Sequence, residues 1–274
     1  MTKISLFGGT GFVGSAFAEL SENTVQIVDR NDPDPKHPEI LYAIGTTDNY
    51  NIFENPLLDI ESNLLKLVSD LEILRTKFGT FTFNYLSSWF VYGDFSPPPF
   101  KELQRCEPKG FYSISKFSAE MFIRSYCETY GISYRILRLA NVFGIGDKGI
   151  SKKKNALQYL INEIKVGNDV EVYEGGDFFR DYIDVRDVVR AIDLIISLGP
   201  DQRILNIGTG IPVKFIDLLE RAKLDFASGS NLASISTPDF HKKVQVRDAY
   251  MEVLELKKLG FKPQYDIFNE IINL

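Results

Sequence analysis

Cysteine and histidine are nearly missing from this chain, whose 274 residues hold only Cys106 and Cys127, His37 and His241. Two cysteines cannot build a multi-bridge framework, and two distant histidines with these neighbours do not make a zinc site. Metal catalysis through His and Cys is therefore close to excluded. Long apolar runs are lacking too. The best, around residues 188–198, is broken by Arg190 and Asp193 and falls short of the ~20 apolar residues of a membrane span. Nor is there an excess of positive charge: 37 acidic against 31 basic residues leave a net −6. No general attraction to phosphate backbones or anionic lipid is expected, so neither nucleic acid nor membrane is an expected partner. The first residues run straight into a strand-like segment and a glycine turn, leaving no room for the apolar core of a signal peptide. The expectation is a cytoplasmic protein in a reducing compartment.

What is present is an alternation. Apolar strands at 4–7, 25–28, 40–44, 81–86 and 134–139 are separated by helix-length stretches to about Leu20, over 60–78 and over 113–130. The middle helix carries Ile60, Leu64, Leu67, Leu71, Leu74 and Phe78 at spacings of four and three, hence on one stripe. Strands alternating with helices imply an α/β, doubly wound parallel sheet, because right-handed crossovers allow little else. Beyond Gly144 the rhythm loosens into shorter strands (170–173, 182–185, 204–207) and helices (155–166, 187–198, then 212–221, 255–259 and 266–272). The organisation expected is a doubly wound domain over 1–150, completed by about 178–207, with a smaller C-terminal cap over 151–177 and 208–274.

The chemistry begins at Gly8-Gly9-Thr10-Gly11-Phe12-Val13-Gly14, where glycines at spacing three and three follow a strand and open a helix. A pyrophosphate needs a tight turn, a backbone it can touch and an exposed helix N-terminus. Gly8, Gly11, Phe12, Val13 and Gly14 are the candidate cradle. The second strand ends in Asp29, fifteen residues past Gly14, near the place where a carboxylate reaches the adenosine ribose and repels a 2′-phosphate. That favours NAD over NADP, although Arg30 is placed to meet a 2′-phosphate. Farther on, Tyr112 and Lys116 lie four residues apart on one helix face, with Ser88 at the end of a neighbouring strand. A phenol titrates near 10. A cation about 4 Å away at an effective dielectric of ~20 contributes up to about 4 kcal/mol, enough to bring it toward neutral pH. Ser88 would then hold the substrate hydroxyl.

Taken with Ser87-Ser88-Trp89-Phe90-Val91-Tyr92-Gly93-Asp94, Arg138-Leu139-Ala140-Asn141-Val142-Phe143-Gly144, Arg180-Asp181-Tyr182-Ile183-Asp184-Val185-Arg186-Asp187-Val188 and Leu205-Asn206-Ile207-Gly208-Thr209-Gly210, these segments stand in a recognisable order. The chain resembles the extended short-chain dehydrogenase/reductase family, in its NAD-dependent nucleotide-sugar epimerase/dehydratase branch, over almost its whole length. With the glycine turn, the resemblance makes the domain over 1–150 a dinucleotide-binding Rossmann domain and the C-terminal cap a substrate-binding one. The resemblance implies a catalytic triad of Ser88, Tyr112 and Lys116, and Asn63 near the cofactor. It also implies that Asn141 and Arg180 hold the diphosphate of a nucleotide sugar, a role that suits an amide and a bidentate guanidinium. The implied activity is an NAD-dependent epimerase that oxidises a sugar hydroxyl transiently to a ketone and returns the hydride. A reductase of keto-sugar nucleotides using external NAD(P)H is the alternative, and a non-catalytic dinucleotide sensor a weaker one. A homodimer through the helices around 60–78 and 112–130 is implied as well, since Leu65, Val68, Met121, Phe122 and Tyr126 exceed what one sheet must bury.

Departures from the family pattern matter. Ile40 comes only eleven residues after Asp29, so the usual third strand-helix unit is expected to be missing. Trp89 and Phe90 occupy positions where family dehydratases carry proton-transferring acids, which disfavours dehydration. Lys242, Lys243 and Arg247 compete for a second phosphate, with none assigned, and the Lys152-Lys153-Lys154 run is expected to be a solvated helix start.

Overall fold

The computed structural model describes residues 1–148, 150–151 and 154–274. β1 (Lys3–Phe7) has four of its five residues buried, as a strand covered on both faces requires. α1 (Phe12–Leu20) follows the glycine turn and leads to β2 (Thr24–Val28), parallel to β1. The chain then crosses to β3 (Glu39–Tyr42) on the other flank of β1. This reversal makes a switch point, and ligands of such sheets sit in the crevice beyond the carboxyl ends of the two strands. No strand lies outside β2 among the described residues, so the short step from Asp29 to Ile40 does omit the third strand-helix unit. Side chains of the first two strands fasten the shortcut: Lys36 N donates to Gln26 Oε1 (2.9 Å) and His37 N to Ser5 Oγ (2.9 Å).

Two single helical turns, α2 (Asn51–Glu54) and α3 (Leu57–Ile60), pass through a π-helical segment at Glu61–Leu65 into α4 (Lys66–Phe78). Leu67, Leu71 and Leu74 of the expected stripe are fully buried, whereas Leu65 and Val68 face outward. β4 (Thr82–Ser88), α5 (Phe111–Tyr130) and β5 (Ser133–Leu139) repeat the strand-helix-strand unit, and α5 ends at Gly131 in the left-handed region. β6 (Asn141–Phe143), α6 (Ala156–Lys165), β7 (Val170–Tyr173), β8 (Phe179–Arg180) and β9 (Tyr182–Asp184) lead to α7 (Val185–Leu198) and β10 (Arg203–Ile207). The main sheet is six parallel strands in the order β2-β1-β3-β4-β5-β10. β11 (Val213–Lys214), α8 (Phe215–Asp225), β12 (Leu232–Ile235), α9 (Asp239–Val244), α10 (Leu254–Lys258) and α11 (Ile267–Glu270) complete the chain. The helix expected from Pro212 starts at Phe215 because Val213 and Lys214 pair with β8.

Burial explains the layering. Phe17 of α1 packs with Val188, Ile192 and Ile195 of α7 on one face of the sheet. Leu67, Leu71 and Leu74 of α4 pack with Ala119, Ile123 and Cys127 of α5 on the other. A third cluster, with Leu160 and Ile161 of α6 against Leu218 and Leu219 of α8, is built from residues outside the main sheet. No helix among the described residues is long and apolar enough to cross a membrane.

Candidate active site

The glycine turn shows why its residue types are needed. Gly8 has φ +83°, and a β-carbon there would lie 2.7 Å from the Ala43 carbonyl carbon, so the chain leaving β3 could not pass. A β-carbon on Gly14 would lie 2.2 Å from Gly8 O, so α1 could not pack on its strand. Gly11 is different: its nearest neighbour in that direction is Gly8 O at 3.5 Å, and no side chain caps the helix it begins. The first N–H groups of a helix lack intrahelical partners. An open, uncapped helix start at the switch point fits the pyrophosphate of a dinucleotide.

A cleft of about 650 Å³ opens from this turn. It brings Gly11, Phe12, Val13 and Gly14 together with Ser88, Tyr112, Lys116, Asn141 and Arg180. Ser88 ends β4, where its Oγ accepts from Phe90 N (3.3 Å) and starts the 3-10 turn Trp89–Tyr92. Tyr112 and Lys116 stand one turn apart at the start of α5. Burial pushes the Tyr112 phenol up to about 12, opposed by a hydrogen bond with Ser88, while the carboxylates of Asp59 and Asp48 push it the same way as burial. Burial also pulls the Lys116 ammonium down to about 7. Its Nζ donates to Leu86 O (2.6 Å) and lies 4.1 Å from the Tyr85 ring centre. The amine is thus aimed at a strand carbonyl, and the expected lowering of the phenol by Lys116 is not what the structure shows. Burial dominates the shift of both groups.

The remaining sequence candidates lie around the cleft, not in its lining. Asp29, at the end of β2, accepts from Asn31 N (2.7 Å) and Asp32 N (3.0 Å), which hold its carboxyl below the usual range. Arg30 Nη2 donates to Ser62 Oγ (3.1 Å). Asn63 is turned inward by the π segment. Its Nδ2 donates to Thr46 Oγ1 and Ser115 Oγ, both at 2.8 Å, and its Oδ1 accepts from Thr46 N (2.9 Å). Ser115 Oγ in turn donates to Tyr112 O (2.8 Å). Asn63 therefore joins the Gly45–Thr46 wall of the cleft to the turn that carries Tyr112.

On the opposite wall, Asn141 Nδ2 donates to Asp181 O (3.0 Å), and its Oδ1 accepts from Trp89 Nε1 (3.2 Å). Arg180 donates to the carbonyls of Phe179 (2.9 Å), Val246 (2.9 Å) and Arg247, and lies over the Phe178 ring at 4.6 Å. Asp177 is taken by Lys214 (2.9 Å) and Arg247 (3.0 Å). Asp181 is taken by Thr209 and Gly210. Burial lowers Arg180 to about 10, so it remains a cation at neutral pH, held by carbonyls in the lining of the cleft.

Lys242, Lys243 and Arg247 do not line the cleft. Lys152 and Lys153 lie outside the described residues, while Lys154 does line it and pairs with Asp147 (3.2 Å). The lining also holds residues that sequence reasoning passed over: Asn49, Tyr50, Tyr173, Phe178, His241 and Gln245. His241 is lowered to about 4 by burial and by the Arg180 charge, with Nδ1 3.3 Å from the Tyr50 hydroxyl. Its rarity was the available signal; distance in sequence hid its partner.

Comparison with known proteins follows the same pattern. A profile of the NAD dependent epimerase/dehydratase family matches residues 25–208. The chain is 26% identical over 300 positions to a putative UDP-glucose 4-epimerase of Methanocaldococcus jannaschii, covering 96% of this chain and 94% of that protein. It is 29% identical over 199 positions to a GDP-6-deoxy-D-mannose reductase of Pseudomonas aeruginosa, covering 68% of this chain and 62% of that one. A UDP-glucose 4-epimerase of Thermotoga maritima, solved with UDP-glucose, matches in fold with a TM-score of 0.86 at 22% identity, over 99% of this chain and 96% of that one.

Proposed function

Because the chain belongs to the NAD dependent epimerase/dehydratase family, we propose that it is an NAD-dependent epimerase acting on a nucleotide-diphosphate sugar. The observation that carries this reading is the convergence in one cleft of a buried Tyr112 phenol hydrogen-bonded to Ser88, the uncapped helix start at Gly11–Gly14, and the carbonyl-held cation Arg180. In this reading Gly8, Gly11, Phe12, Val13 and Gly14 hold the pyrophosphate of NAD, with Asp29 and Arg30 toward its adenosine end. Asn63 braces the wall beside Lys116. Asn141 and Arg180 take the sugar diphosphate. Residues 1–150 with 178–207 form the cofactor half, and 151–177 with 208–274 the sugar half.

When bound, NAD supplies a reversible hydride acceptor and a positive ring beside the sugar carbon. Tyr112 takes the proton of the sugar hydroxyl as that carbon is oxidised and gives it back on reduction. Ser88 Oγ holds the same oxygen. A phenol at about 12 needs help at neutral pH. One positive charge about 4 Å away at an effective dielectric of ~20 contributes about 4 kcal/mol, or about three pKa steps. The relatedness to a GDP-6-deoxy-D-mannose reductase supports the second reading, a keto-sugar-nucleotide reductase using the same triad. The experiment that separates them offers the purified protein a panel of sugar nucleotides with no added reductant and identifies the nucleotide released on denaturation. Epimerisation with retained substrate hydrogen in D₂O is expected; stoichiometric NAD(P)H consumption overturns it. The exposed apolar side chains Leu65 at the end of the π segment, Val68 on α4, and Met121 and Phe122 on α5 support a homodimer, which a monomer in sedimentation at micromolar concentration would contradict.

A further inference from the structure

Directly after Ser88, the Trp89 and Phe90 rings are stacked with centres 4.0 Å apart. Phe90 stands edge-on to Tyr112 at 6.0 Å and 80°. Trp89 is 4% exposed, and its single polar atom is already used on Asn141. Phe90 and Val142 pack on the cluster that contains Trp89, Leu139 and Ala140, and all five residues line the cleft. One flank of the reacting phenol is therefore a wall of side chains with no unused donor or acceptor. The polar lining of Thr46, Thr47, Asp48 and Asn49 comes from a separate segment after β3.

We propose that Phe90, backed by Trp89, selects the sugar by the substituent beside the reacting carbon and favours a methyl group there over a hydroxymethyl. The substrate class is then a nucleoside-diphosphate 6-deoxyhexose inverted at C4, the ring carbon next to the one that bears the methyl. The proposal rests on the epimerase reading and adds the sugar class to it. A hydroxymethyl group set against Phe90 leaves its hydroxyl desolvated and without a partner. A methyl group in the same place gains apolar contact. The loss of one buried hydrogen-bonding group translates into a preference of roughly 10–100-fold.

The test uses matched pairs that differ only at C6, such as UDP-6-deoxyglucose and UDP-glucose, with the dTDP and GDP equivalents. C4 inversion is followed by NMR without added reductant. The deoxy member should exceed its partner by at least roughly 10-fold in kcat/KM. Phe90→Thr, which puts a hydroxyl on the wall, should narrow that ratio by at least roughly 5-fold, while Phe90→Leu keeps it. The same ratio is read from calorimetric binding of each pair to Tyr112→Phe, which needs no turnover. Equal binding or a preference for the hydroxymethyl member overturns the proposal, as does a ratio untouched by Phe90→Thr. Preferential binding of the deoxy member with no inversion in wild type overturns the epimerase reading and leaves the sugar selection standing.

Discussion

On the sheet side of the cleft, Tyr112 and Lys116 stand on a 20-residue helix whose register sets them one turn apart. On the other side, Arg180 stands on a two-residue strand and is held by the carbonyls of Phe179, Val246 and Arg247. Burial acts on both walls, with opposite consequences. It leaves Tyr112 neutral and Lys116 near half protonation at pH 7, so their charges can change during a reaction. It lowers Arg180 as well, but only to about 10, so that charge is permanent under working conditions. In the proposed reading, proton traffic belongs to one wall and anion anchoring to the other. Each wall can be broken separately.

The largest effect is expected from Tyr112→Phe, which deletes the phenolic proton acceptor and keeps the ring against Phe90. Turnover should fall by roughly 10²–10⁴, while calorimetric affinity for the sugar nucleotide stays within about threefold. A comparable loss of affinity would mean that the two walls do not divide their work. Next comes Arg180→Lys. It keeps a positive charge but gives up the planar fork that three carbonyls and a diphosphate can share. Sugar-nucleotide affinity should weaken by roughly 10–100-fold, the equivalent of one or two charge-assisted hydrogen bonds. NAD affinity, measured alone, should not move, and its collapse would break the comparison from the other side.

How far each wall could be read from sequence follows from the same difference. The α4 stripe of Leu67, Leu71 and Leu74, the glycine turn and the Tyr112–Lys116 pair depend on local periodicity, and the structure buries or orients each as its spacing requires. Asn63 was visible as a residue but not as a brace, because its direction is set by a π segment that no residue pattern announces. His241 and Tyr50 are 191 positions apart and meet only because α9 folds over the segment after β3. Arg180 was named, but that it pairs with no carboxylate among the described residues depends on Lys214, Arg247 and Thr209 claiming Asp177 and Asp181. The electrostatics of the catalytic pair were also hidden: four residues of spacing place an amine near a phenol and say nothing of the Leu86 carbonyl that turns it away.

That carbonyl makes the smallest effect the most discriminating. Lys116 has an ordinary pKa of 10.5 and stands at about 7 in the fold. Between those values the unfolded chain holds a proton that the folded site has given up, so folding stability rises with pH across that window. Below about pH 7 both states are protonated and the penalty of burying the charge is complete, at about 1.4 kcal/mol for each pKa step. Lys116→Met removes the titration. It also strands the Leu86 carbonyl, at a cost of about 1 kcal/mol, which is smaller than the relief. At pH 7 the variant should therefore melt about 2–4 °C or more above wild type, and the gap should close as pH is raised toward 10. Arg180→Met, whose parent group stays charged throughout, should show a difference from wild type that is flat between about pH 6 and 8. If Lys116→Met melts below wild type at pH 7, the amine is contributing to stability through a partner other than the strand carbonyl. The view of the sheet-side wall as strain held for chemistry then gives way to that of an ordinary structural contact.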